Sequence, residues 1–460
     1  MVLSTAGWRC LRSTTIRQLP RSLVPTTPTA AVAFTTSAAT LDKSSKPNVK
    51  GGQGRNVQTG QQRVGGRGGP PTTESKSRAA YKEGERKQIR QRIVLSNTNA
   101  PPVNLGELTV EVSIHEPTVG SVFALAPHDV DKLRELQAFR RTQDWKFFYR
   151  PSTVMRKESL VLGEMLKEIQ EGEKGACERV ILSGPKGSGK SVLLLQAMSW
   201  ALQREWVVIN ISNAHDLVIG HTEYEHDATS GTWAQREYTR SLLSRILSAN
   251  HAVLARMKLS KDHTLNRIDF PAATDLAQFC QRGSRDATIS HEVFTTLLEE
   301  LCHAGRPPVL FAVDSLNFMM QNSDYHDQDY NIIHAHDLAI PRHFCDFLNG
   351  TRAFPRGLVI GATSLAGAPR TDAFEYALRG WKLPAYSKLD TRIAPSIAGA
   401  EVMEIGAMAE EEAKSLLEYC RVSGLLKEGR PLSDEQVAQR VAVSSGLAKE
   451  LVAGCVRMLA

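Results

Sequence analysis

One short stretch, GPKGSGKS, has the residue types and the spacing of a loop that binds phosphate groups. Its glycines let the backbone turn tightly, so that successive amides point into one concave nest. A helix beginning near Lys190 would direct its positive end at the phosphates. Lys190 would reach the terminal phosphates of a nucleotide, and the Ser191 hydroxyl would coordinate Mg²⁺. The predicted phosphate-binding residues are Gly184, Pro185, Lys186, Gly187, Ser188, Gly189, Lys190 and Ser191.

A second candidate Mg²⁺ ligand, Asp314, ends the apolar run VLFAVD. Nucleotide-hydrolysing proteins with such a loop place an aspartate of the metal's shell at the end of a strand. Many ATP-driven machines have a glutamate directly after that aspartate to orient the attacking water, but here the residue is Ser315. Because a serine is a poor general base at its ordinary pKa, we predict a bound nucleotide with slow or absent hydrolysis. The sequence assigns no catalytic residue.

Polar residues beyond the loop supply candidate sensors of the terminal phosphate. Thr363 and Ser364 end a predicted strand, and Lys449 lies in the C-terminal segment. Each has a structural alternative, since hydroxyls often satisfy backbone groups and helix lysines often lie in solvent. Arg370 and Arg379 are the candidates for an arginine finger.

Two polar segments are candidates for other ligands. SKLD, at 387–390, is close to the N/T-K-x-D signature of guanine-selective GTPases but lacks its asparagine. DYHDQDYNIIHAHD, at 324–337, could bind a metal, but it has no H-E-x-x-H or comparable spacing and we interpret it as a polar loop. Its candidate ligands are Asp324, His326, Asp327, Asp329, His334, His336 and Asp337. The residues alone leave the base open between guanine and adenine.

The elements that must position these residues alternate between strand and helix. Apolar runs predict four strands, at 178–184, 206–212, 307–316 and 357–364. Helical patterns occupy 190–205 and 236–257. Apolar strands that alternate with helices indicate a parallel sheet covered on both faces. The predicted fold is α/β, a P-loop NTPase domain at 158–398. Residues 399–460 predict helices without strands, a lid domain in which Ser433 and Gln436 form a capping box.

The chain before this domain divides into three predicted segments. Residues 1–41 contain arginines and hydroxylated residues but no acid, which is typical of a mitochondrial transit peptide. Residues 42–95 are a disordered, basic, glycine-rich extension of a type that often orders on RNA. In the lead-in segment 96–157, LTVEVSI at 108–114 predicts a strand and DVDKLRELQAF at 129–139 predicts a helix. The aromatics of RRTQDWKFFYRP could stack on RNA bases, but we interpret them as core anchors.

The net charge of +7 is unevenly distributed. Residues 1–92 hold 17 Lys/Arg and 4 Asp/Glu, so the remaining chain holds 39 basic and 45 acidic residues. A basic tail on a mildly acidic body suggests a nucleic-acid partner, the alternative being a solvated tail with no specific partner. No apolar run reaches the length of a membrane span. The seven cysteines include no C-x-x-C pair, which argues against a cysteine zinc site or a disulfide framework.

Several of these segments together resemble one known family. FALAPHDVDKLRELQAFRRTQDWKFFYRP, ILSGPKGSGKSVLLLQA, DLVIGHTEY, VLFAVDSLN and SSGLAKEL are similar to the death-associated protein 3 family, from about residue 120 to the C-terminus. The resemblance implies a P-loop fold of the AAA+/STAND type with a helical lid, and a place in the small subunit of the mitochondrial ribosome. It also implies a site for GTP or GDP with Mg²⁺, contacts with small-subunit rRNA and ribosomal proteins, and bridges to the large subunit. The residues do not exclude ATP.

We therefore predict a structural ribosomal protein of the mitochondrial matrix that holds a guanine nucleotide and is at most a slow P-loop GTPase. The alternative is a free mitochondrial AAA+-like ATPase that remodels protein or nucleic acid. That alternative needs a catalytic base and an arginine finger. A role in cell death would follow from the family name alone.

Overall fold

The described part of the protein begins at Ile93. The computed structural model describes residues 93–172, 177–228, 230–365, 371–380, 386 and 389–457. The predicted transit peptide at 1–41 lies outside these ranges, and so does the predicted extension at 42–95 apart from its last three residues. Arg370 and two of the four residues of SKLD are outside them as well.

Short antiparallel hairpins and one central sheet make up the strands of the described chain. They are β1 (Val122–Ala124), β2 (Ser152–Val154), β3 (Cys177–Ser183), β4 (Val207–Ile211), β5 (Glu225–Asp227), β6 (Thr232–Ala234), β7 (His263–Leu265), β8 (Ile268–Phe270), β9 (Val309–Asp314), β10 (Asn322–His326), β11 (Ile332–His334), β12 (Gly357–Ala362) and β13 (Glu401–Glu404). The hairpins pair β5 with β6, β7 with β8 and β10 with β11, and β1 pairs antiparallel with β2, which lies much later in the chain.

The α-helices of the described chain mostly alternate with the strands of the central sheet. They are α1 (Val110–Ser113), α2 (Pro127–Glu135), α3 (Lys157–Glu171), α4 (Lys190–Gln203), α5 (Arg236–Leu254), α6 (Leu276–Arg285), α7 (Ala287–Leu301), α8 (Ala339–Leu348), α9 (Asp372–Arg379), α10 (Ile393–Ser396), α11 (Glu410–Val422), α12 (Asp434–Ser444) and α13 (Ala448–Arg457). Single 3₁₀ turns cover Glu116–Thr118, Arg141–Gln143, Trp145–Phe147, Ala214–Leu217, Leu316–Met319 and Ala335–Asp337.

The central sheet has five parallel strands in the order β13-β3-β12-β9-β4. The register pairs Leu182 and Asp314, each with Ala362 of the strand between them. The carboxyl ends of β3, β12 and β9 therefore meet at one edge of the sheet, where ligands of open α/β sheets bind. The prediction of an α/β fold with a parallel sheet is confirmed.

Helices cover both faces of this sheet, because successive strand residues point to opposite sides. Ile181 and Phe311 pack on one face against α5, α6, α7 and α8. Val180 and Leu310 pack on the other face against α2, α3 and α4. All four of these side chains are fully buried. The four predicted strands and the two predicted helices of this region are present.

Helices α11, α12 and α13 form a C-terminal bundle with its own core, which includes Leu417, Cys420 and Leu451. The predicted capping box starts α12: Ser433 Oγ accepts a hydrogen bond from the Gln436 amide at 3.3 Å, and the Ser433 amide donates to Gln436 Oε1 at 3.0 Å. The expectation that strands stop near residue 400 is wrong, because β13 pairs with β3 ahead of the bundle.

The lead-in segment departs from its prediction at one element. Residues 108–114 contain the short helix α1 instead of a strand, and the Thr109 hydroxyl caps it by accepting a hydrogen bond from the Val112 amide. The predicted helix at 129–139 is present as α2, which starts at Pro127 and ends before Gln137, a residue with a left-handed φ of 55°. None of the described helices is long and apolar enough to cross a membrane.

Candidate nucleotide-binding site

The loop GPKGSGKS connects the carboxyl end of β3 to the start of α4. Its three glycines have left-handed φ values, 145° at Gly184, 85° at Gly187 and 106° at Gly189. A β-carbon on Gly184 would stand 2.2 Å from the Ile405 carbonyl oxygen, so both sterics and conformation require glycine there. Helix α4 has no side-chain cap, which leaves its N-terminal amides facing the loop.

Lys190 is folded back onto the loop. Its Nζ donates hydrogen bonds to the carbonyl oxygens of Gly184 and Pro185, both at 2.8 Å. Only 7% of the residue is exposed. Burial lowers the pKa of Lys190 to about 8, against the opposing charges of Asp314 and Glu404. The ammonium is therefore held close to the loop, where an anionic ligand would compensate its desolvation.

Asp314 lies at the end of β9, beside the loop. Its carboxylate accepts a hydrogen bond from the Ser191 side chain and another, at 2.7 Å, from the Ser315 amide. Burial raises the pKa of Asp314, and the positive charge of Arg140 and these hydrogen bonds oppose that rise. The structure thus brings together the two residues that the sequence assigns to the Mg²⁺ shell, Ser191 and Asp314.

Arg140 is a site residue that sequence reasoning missed. It precedes the 3₁₀ turn Arg141–Gln143, and its Nε lies 2.8 Å from Asp314 Oδ2. Its Nη2 donates to the Ser315 hydroxyl at 3.2 Å and to the Ser212 carbonyl at 2.5 Å. Arg140 is visible in the basic stretch RRTQDW, but the residues that it contacts are far away in the sequence.

Arg156, also missed, joins the loop to the C-terminal bundle. Its Nη1 donates to the Ser188 carbonyl at 2.7 Å and its Nε to Glu412 Oε2 at 3.2 Å. Glu412 also accepts hydrogen bonds from the amides of Lys157 and Ala409, at 3.0 and 3.1 Å. Arg156 and Glu412 are both buried, with 6% and 2% exposed. The phosphate loop, the start of α3 and the start of α11 are therefore held by one buried ion pair.

The three candidate phosphate sensors line the same cavity as the loop. The Thr363 hydroxyl donates to the Leu182 carbonyl at 3.1 Å, which matches the structural alternative for that residue. The Ser364 amide donates to Asn317 Oδ1 at 2.6 Å, and the Lys449 amide donates to the Gly187 carbonyl at 3.2 Å.

Arg379, one of the two arginine-finger candidates, lies behind the loop at the end of β3. Its Nη2 donates to Ser183 Oγ at 2.7 Å, and its Nε lies 3.3 Å from a carboxylate oxygen of Glu404. It belongs to the protein's own ion-pair network beside the site.

The cavity holds about 340 Å³ and is lined by both polar and apolar residues. Residues 186–191 of the loop, Asp314 and the sensor candidates line it, whereas Gly184 and Pro185 do not. Phe148 and Tyr419 also line it, and their rings are stacked 4.9 Å apart at an interplanar angle of 14°. A cavity of this volume with both charged and aromatic residues on its wall suits a nucleotide-sized ligand. Phe148 and Trp145 are buried, as expected of core anchors, whereas Phe147 is half-buried and Tyr149 is exposed, so the interpretation of these aromatics as core anchors holds for two of the four.

Three buried polar atoms on the cavity wall have no hydrogen-bond partner in the described chain: Ser188 Oγ, Gln143 Nε2 and Gln196 Oε1. Buried polar groups normally have partners. Ser188 lies in the loop, where a phosphate oxygen would satisfy its hydroxyl. Gln143 and Gln196 offer one donor and one acceptor, which either purine base could satisfy.

The residues present fit a phosphate ligand, and they fit Mg²⁺ in part. Ser191 and Asp314 supply the oxygen ligands that Mg²⁺ prefers, but the remaining ligands would have to be phosphate and water oxygens. Among the described residues, no group of three or more His, Cys, Asp or Glu side chains could hold a metal ion. The segment 324–337, all of which is described, contains no such group.

His334 of this segment has structural partners, and the ring of His336 packs edge-on against it. His334 Nδ1 accepts a hydrogen bond from the His336 amide at 3.1 Å, and its Nε2 lies 3.3 Å from Asp390 Oδ2. Burial lowers the pKa of His336 to about 3, so this imidazole is neutral. Asp390, the last residue of SKLD, also pairs with Arg392 and is not part of the cavity wall.

Comparison with known proteins decides the family. The profile described as mitochondrial ribosomal death-associated protein 3 matches residues 153–453, which include the loop, Asp314 and Lys449. The chain belongs to the mitochondrial ribosomal death-associated protein 3 family. The predicted family resemblance is thereby confirmed. The matched range contains Arg156 and begins after Arg140.

Members of the family with similar sequences include two fungal proteins, each named small ribosomal subunit protein mS29. The Neurospora crassa protein is 34% identical over 91% of this chain and 92% of its own length. The Schizosaccharomyces pombe protein is 24% identical over 77% of this chain and 75% of its own length. A Walker-type ATPase of Pyrococcus abyssi aligns over 66% of this chain and 69% of that one, at 17% identity and a TM-score of 0.37. A score this low supports no conclusion about this chain.

Proposed function

We propose that this protein is a structural component of the mitochondrial small ribosomal subunit that binds a guanine nucleotide with Mg²⁺. Family membership, with the 34% identity to the mS29 protein of Neurospora crassa, supports the ribosomal part. Its partners would then be small-subunit rRNA and ribosomal proteins in the mitochondrial matrix, with bridging contacts to the large subunit. Family membership also weighs against a free ATPase.

The buried loop beside Asp314 is the observation that supports nucleotide binding. The Lys190 ammonium, the unpartnered Ser188 hydroxyl and the N-terminal end of α4 would neutralise and hold the phosphates. Ser191 and Asp314 would hold Mg²⁺, which supplies charge neutralisation between the phosphate oxygens when bound. The stacked pair Phe148 and Tyr419 would contact the base or ribose.

The arrangement favours retention of the nucleotide over its turnover. Among the residues that line the cavity, the carboxylates are Asp144 and Asp314, and Asp314 is already paired with Arg140. Ser315 follows Asp314 with a left-handed φ of 66°, and its hydroxyl accepts a hydrogen bond from Arg140. No unpaired carboxylate therefore follows the strand where a general base would orient water. At most slow hydrolysis is expected.

The C-terminal bundle would act as the lid of a P-loop NTPase of the AAA+/STAND type. Tyr419, Lys449 and Val452 of this bundle line the cavity, and the Lys449 amide donates a hydrogen bond to the loop at the Gly187 carbonyl. The ion pair of Arg156 with Glu412 holds the bundle against the lead-in segment and the loop. A bundle fixed in this way would cover a bound phosphate.

The test is the nucleotide content of assembled subunits. Small subunits are purified from mitochondria through a high-salt wash, and the extracted nucleotide is identified and counted by chromatography. We expect about one guanine nucleotide per copy of this protein, reduced in a Lys190→Ala strain but not in a Lys167→Ala strain, because Lys167 is a half-exposed residue of α3 away from the cavity. Protein that is absent from washed subunits would refute the ribosomal role. Subunits that contain the protein without any nucleotide would refute nucleotide binding.

A further inference from the structure

Arg140 contacts Asp314, the residue that is expected to face a metal. Arg140 Nε lies 2.8 Å from Asp314 Oδ2, while the Ser315 amide donates to Oδ1 at 2.7 Å. The two carboxylate oxygens are thus both engaged by the protein. The Asp314 side chain is 8% exposed, and the Arg140 side chain is 26% exposed at the cavity wall.

Burial explains why such a partner is needed. A buried carboxylate without a counter-charge is strongly unfavourable. The guanidinium of Arg140 supplies that charge, and its hydrogen bonds to Ser315 and Ser212 hold it in place. A divalent cation bound at the same carboxylate would be repelled by the guanidinium at this short distance. The two cations therefore compete for Asp314.

We propose that Arg140 is the resident counter-ion of Asp314 and that the Mg²⁺ arriving with a nucleotide displaces it. The proposal rests on the nucleotide binding proposed above. Before binding and after release, Arg140 neutralises the buried carboxylate, so an empty site remains folded. Because Mg²⁺ must displace this cation, it raises nucleotide affinity less than it would in a site without the arginine.

Nucleotide binding with and without Mg²⁺ tests the exchange. The dissociation constant of GDP is measured for the purified full chain with excess Mg²⁺ and with a chelator, and the ratio of the two is compared between variants. The factor by which Mg²⁺ raises the affinity for GDP should be about ten times larger in Arg140→Gln than in the wild type. A tenfold change is an ordinary size for the coupling between two binding events. Arg141→Gln is the matched control, because Arg141 is exposed and does not line the cavity.

One result of this experiment would overturn the proposal. An equal Mg²⁺ factor in wild type and Arg140→Gln would show that the two cations do not compete. If Arg140→Gln then also bound GDP more weakly in both conditions, Arg140 would be a phosphate ligand instead.

A second measurement does not depend on nucleotide. Thermal melting of the empty protein is compared for Arg140→Gln, Asp314→Asn and the double variant. Arg140→Gln should melt several degrees below the wild type, and Asp314→Asn should restore most of that loss because it removes the unpaired charge. If the changes in melting temperature of the two single variants simply add in the double variant, Arg140 is not the counter-ion of Asp314. If the wild type binds no nucleotide, the proposed function fails, and this cycle still decides whether Arg140 neutralises Asp314.

Discussion

Replacing Arg156 by methionine should cost far more stability than the loss of an ordinary surface ion pair. The substitution keeps an unbranched apolar side chain but leaves Glu412, which is 2% exposed, without its cation. Breaking one side of a buried pair costs about 3–5 kcal/mol. The same change also removes the hydrogen bond to the Ser188 carbonyl, so the phosphate loop loses a support. Against a total stability of about 5–15 kcal/mol, this is a large fraction.

Urea unfolding of the full chain, followed by circular dichroism, measures this loss. With a slope of about 3 kcal/mol per molar urea, the unfolding midpoint of Arg156→Met should fall by about 1–2 M. The double variant Arg156→Met with Glu412→Gln should recover part of the loss, because glutamine removes the buried charge and keeps an acceptor for one of the two backbone amides. Arg134→Met is the control, since its pair with Asp131 is 3.8 Å long and exposed, and should change stability by about 0–1 kcal/mol.

Two outcomes would refute this reasoning. A change below about 1 kcal/mol in Arg156→Met would show that the buried pair contributes no more than a surface pair. A double variant no more stable than Arg156→Met would show that the unpaired carboxylate is not the source of the loss. In either case apolar contacts and backbone hydrogen bonds, such as that from the Lys449 amide to the Gly187 carbonyl, would hold the loop and the C-terminal bundle together.

Three further predictions concern the loop and the aromatic residues that line the cavity. Gly184→Ala should lower the melting temperature by more than Gly172→Ala. The methyl group added at residue 184 would lie 2.2 Å from a carbonyl oxygen, whereas nothing lies within 4 Å of the methyl group added at residue 172. Phe148→Ala should cost about 3 kcal/mol in urea unfolding, and Tyr149→Ala, 42% exposed, less than about 0.5 kcal/mol. Nucleotide affinity should fall as the pH rises above 8, because the pKa of Lys190 is about 8 and only its charged form attracts phosphate; titration of Lys190→Ala should remove this dependence.

The loop and the sheet could be predicted because their signals are local. GPKGSGKS specifies its own backbone conformation, and each apolar strand is buried on both faces regardless of which strand it neighbours. Asp314 could be assigned because it ends such a strand. Its contact with Ser191 follows from the parallel register, which places the carboxyl ends of the strands at one edge.

The arginines of the site could not be predicted because their roles depend on distant residues. Arg140 contacts Ser315 at a separation of 175 residues, and Arg156 contacts Glu412 at a separation of 256. A basic, aromatic stretch of sequence does not show whether its arginines form buried ion pairs or lie in solvent. Phe148 was expected in the core, but its position on the cavity wall depends on where the C-terminal bundle places Tyr419.

Two of the elements predicted wrongly are four residues long. The segment 324–337, predicted to be a polar loop, also departs from its prediction, because it contains most of the hairpin β10–β11. The Thr109 hydroxyl accepts a hydrogen bond from a backbone amide and so starts a helix, although the alternation of apolar residues there suggests a strand. Residues 401–404 are half-buried and too short for a clear pattern, and it is pairing with β3 that makes them a strand. Local propensity is weak at this length, and tertiary contacts decide the conformation.

The ion pair of Arg156 with Glu412 also has a consequence for how the chain matures. Arg156 meets Ser188 across 32 residues but Glu412 only across 256, and Ser152 meets Tyr419 across 267. A chain synthesised from its N-terminus would form the contact of Arg156 with the loop long before it could close the cavity. During that interval Phe148 and its neighbours would be exposed, and contacts of this range form slowly. Synthesis of this protein should therefore pass through an intermediate with an exposed aromatic wall, which chaperones would protect until the last helices arrive.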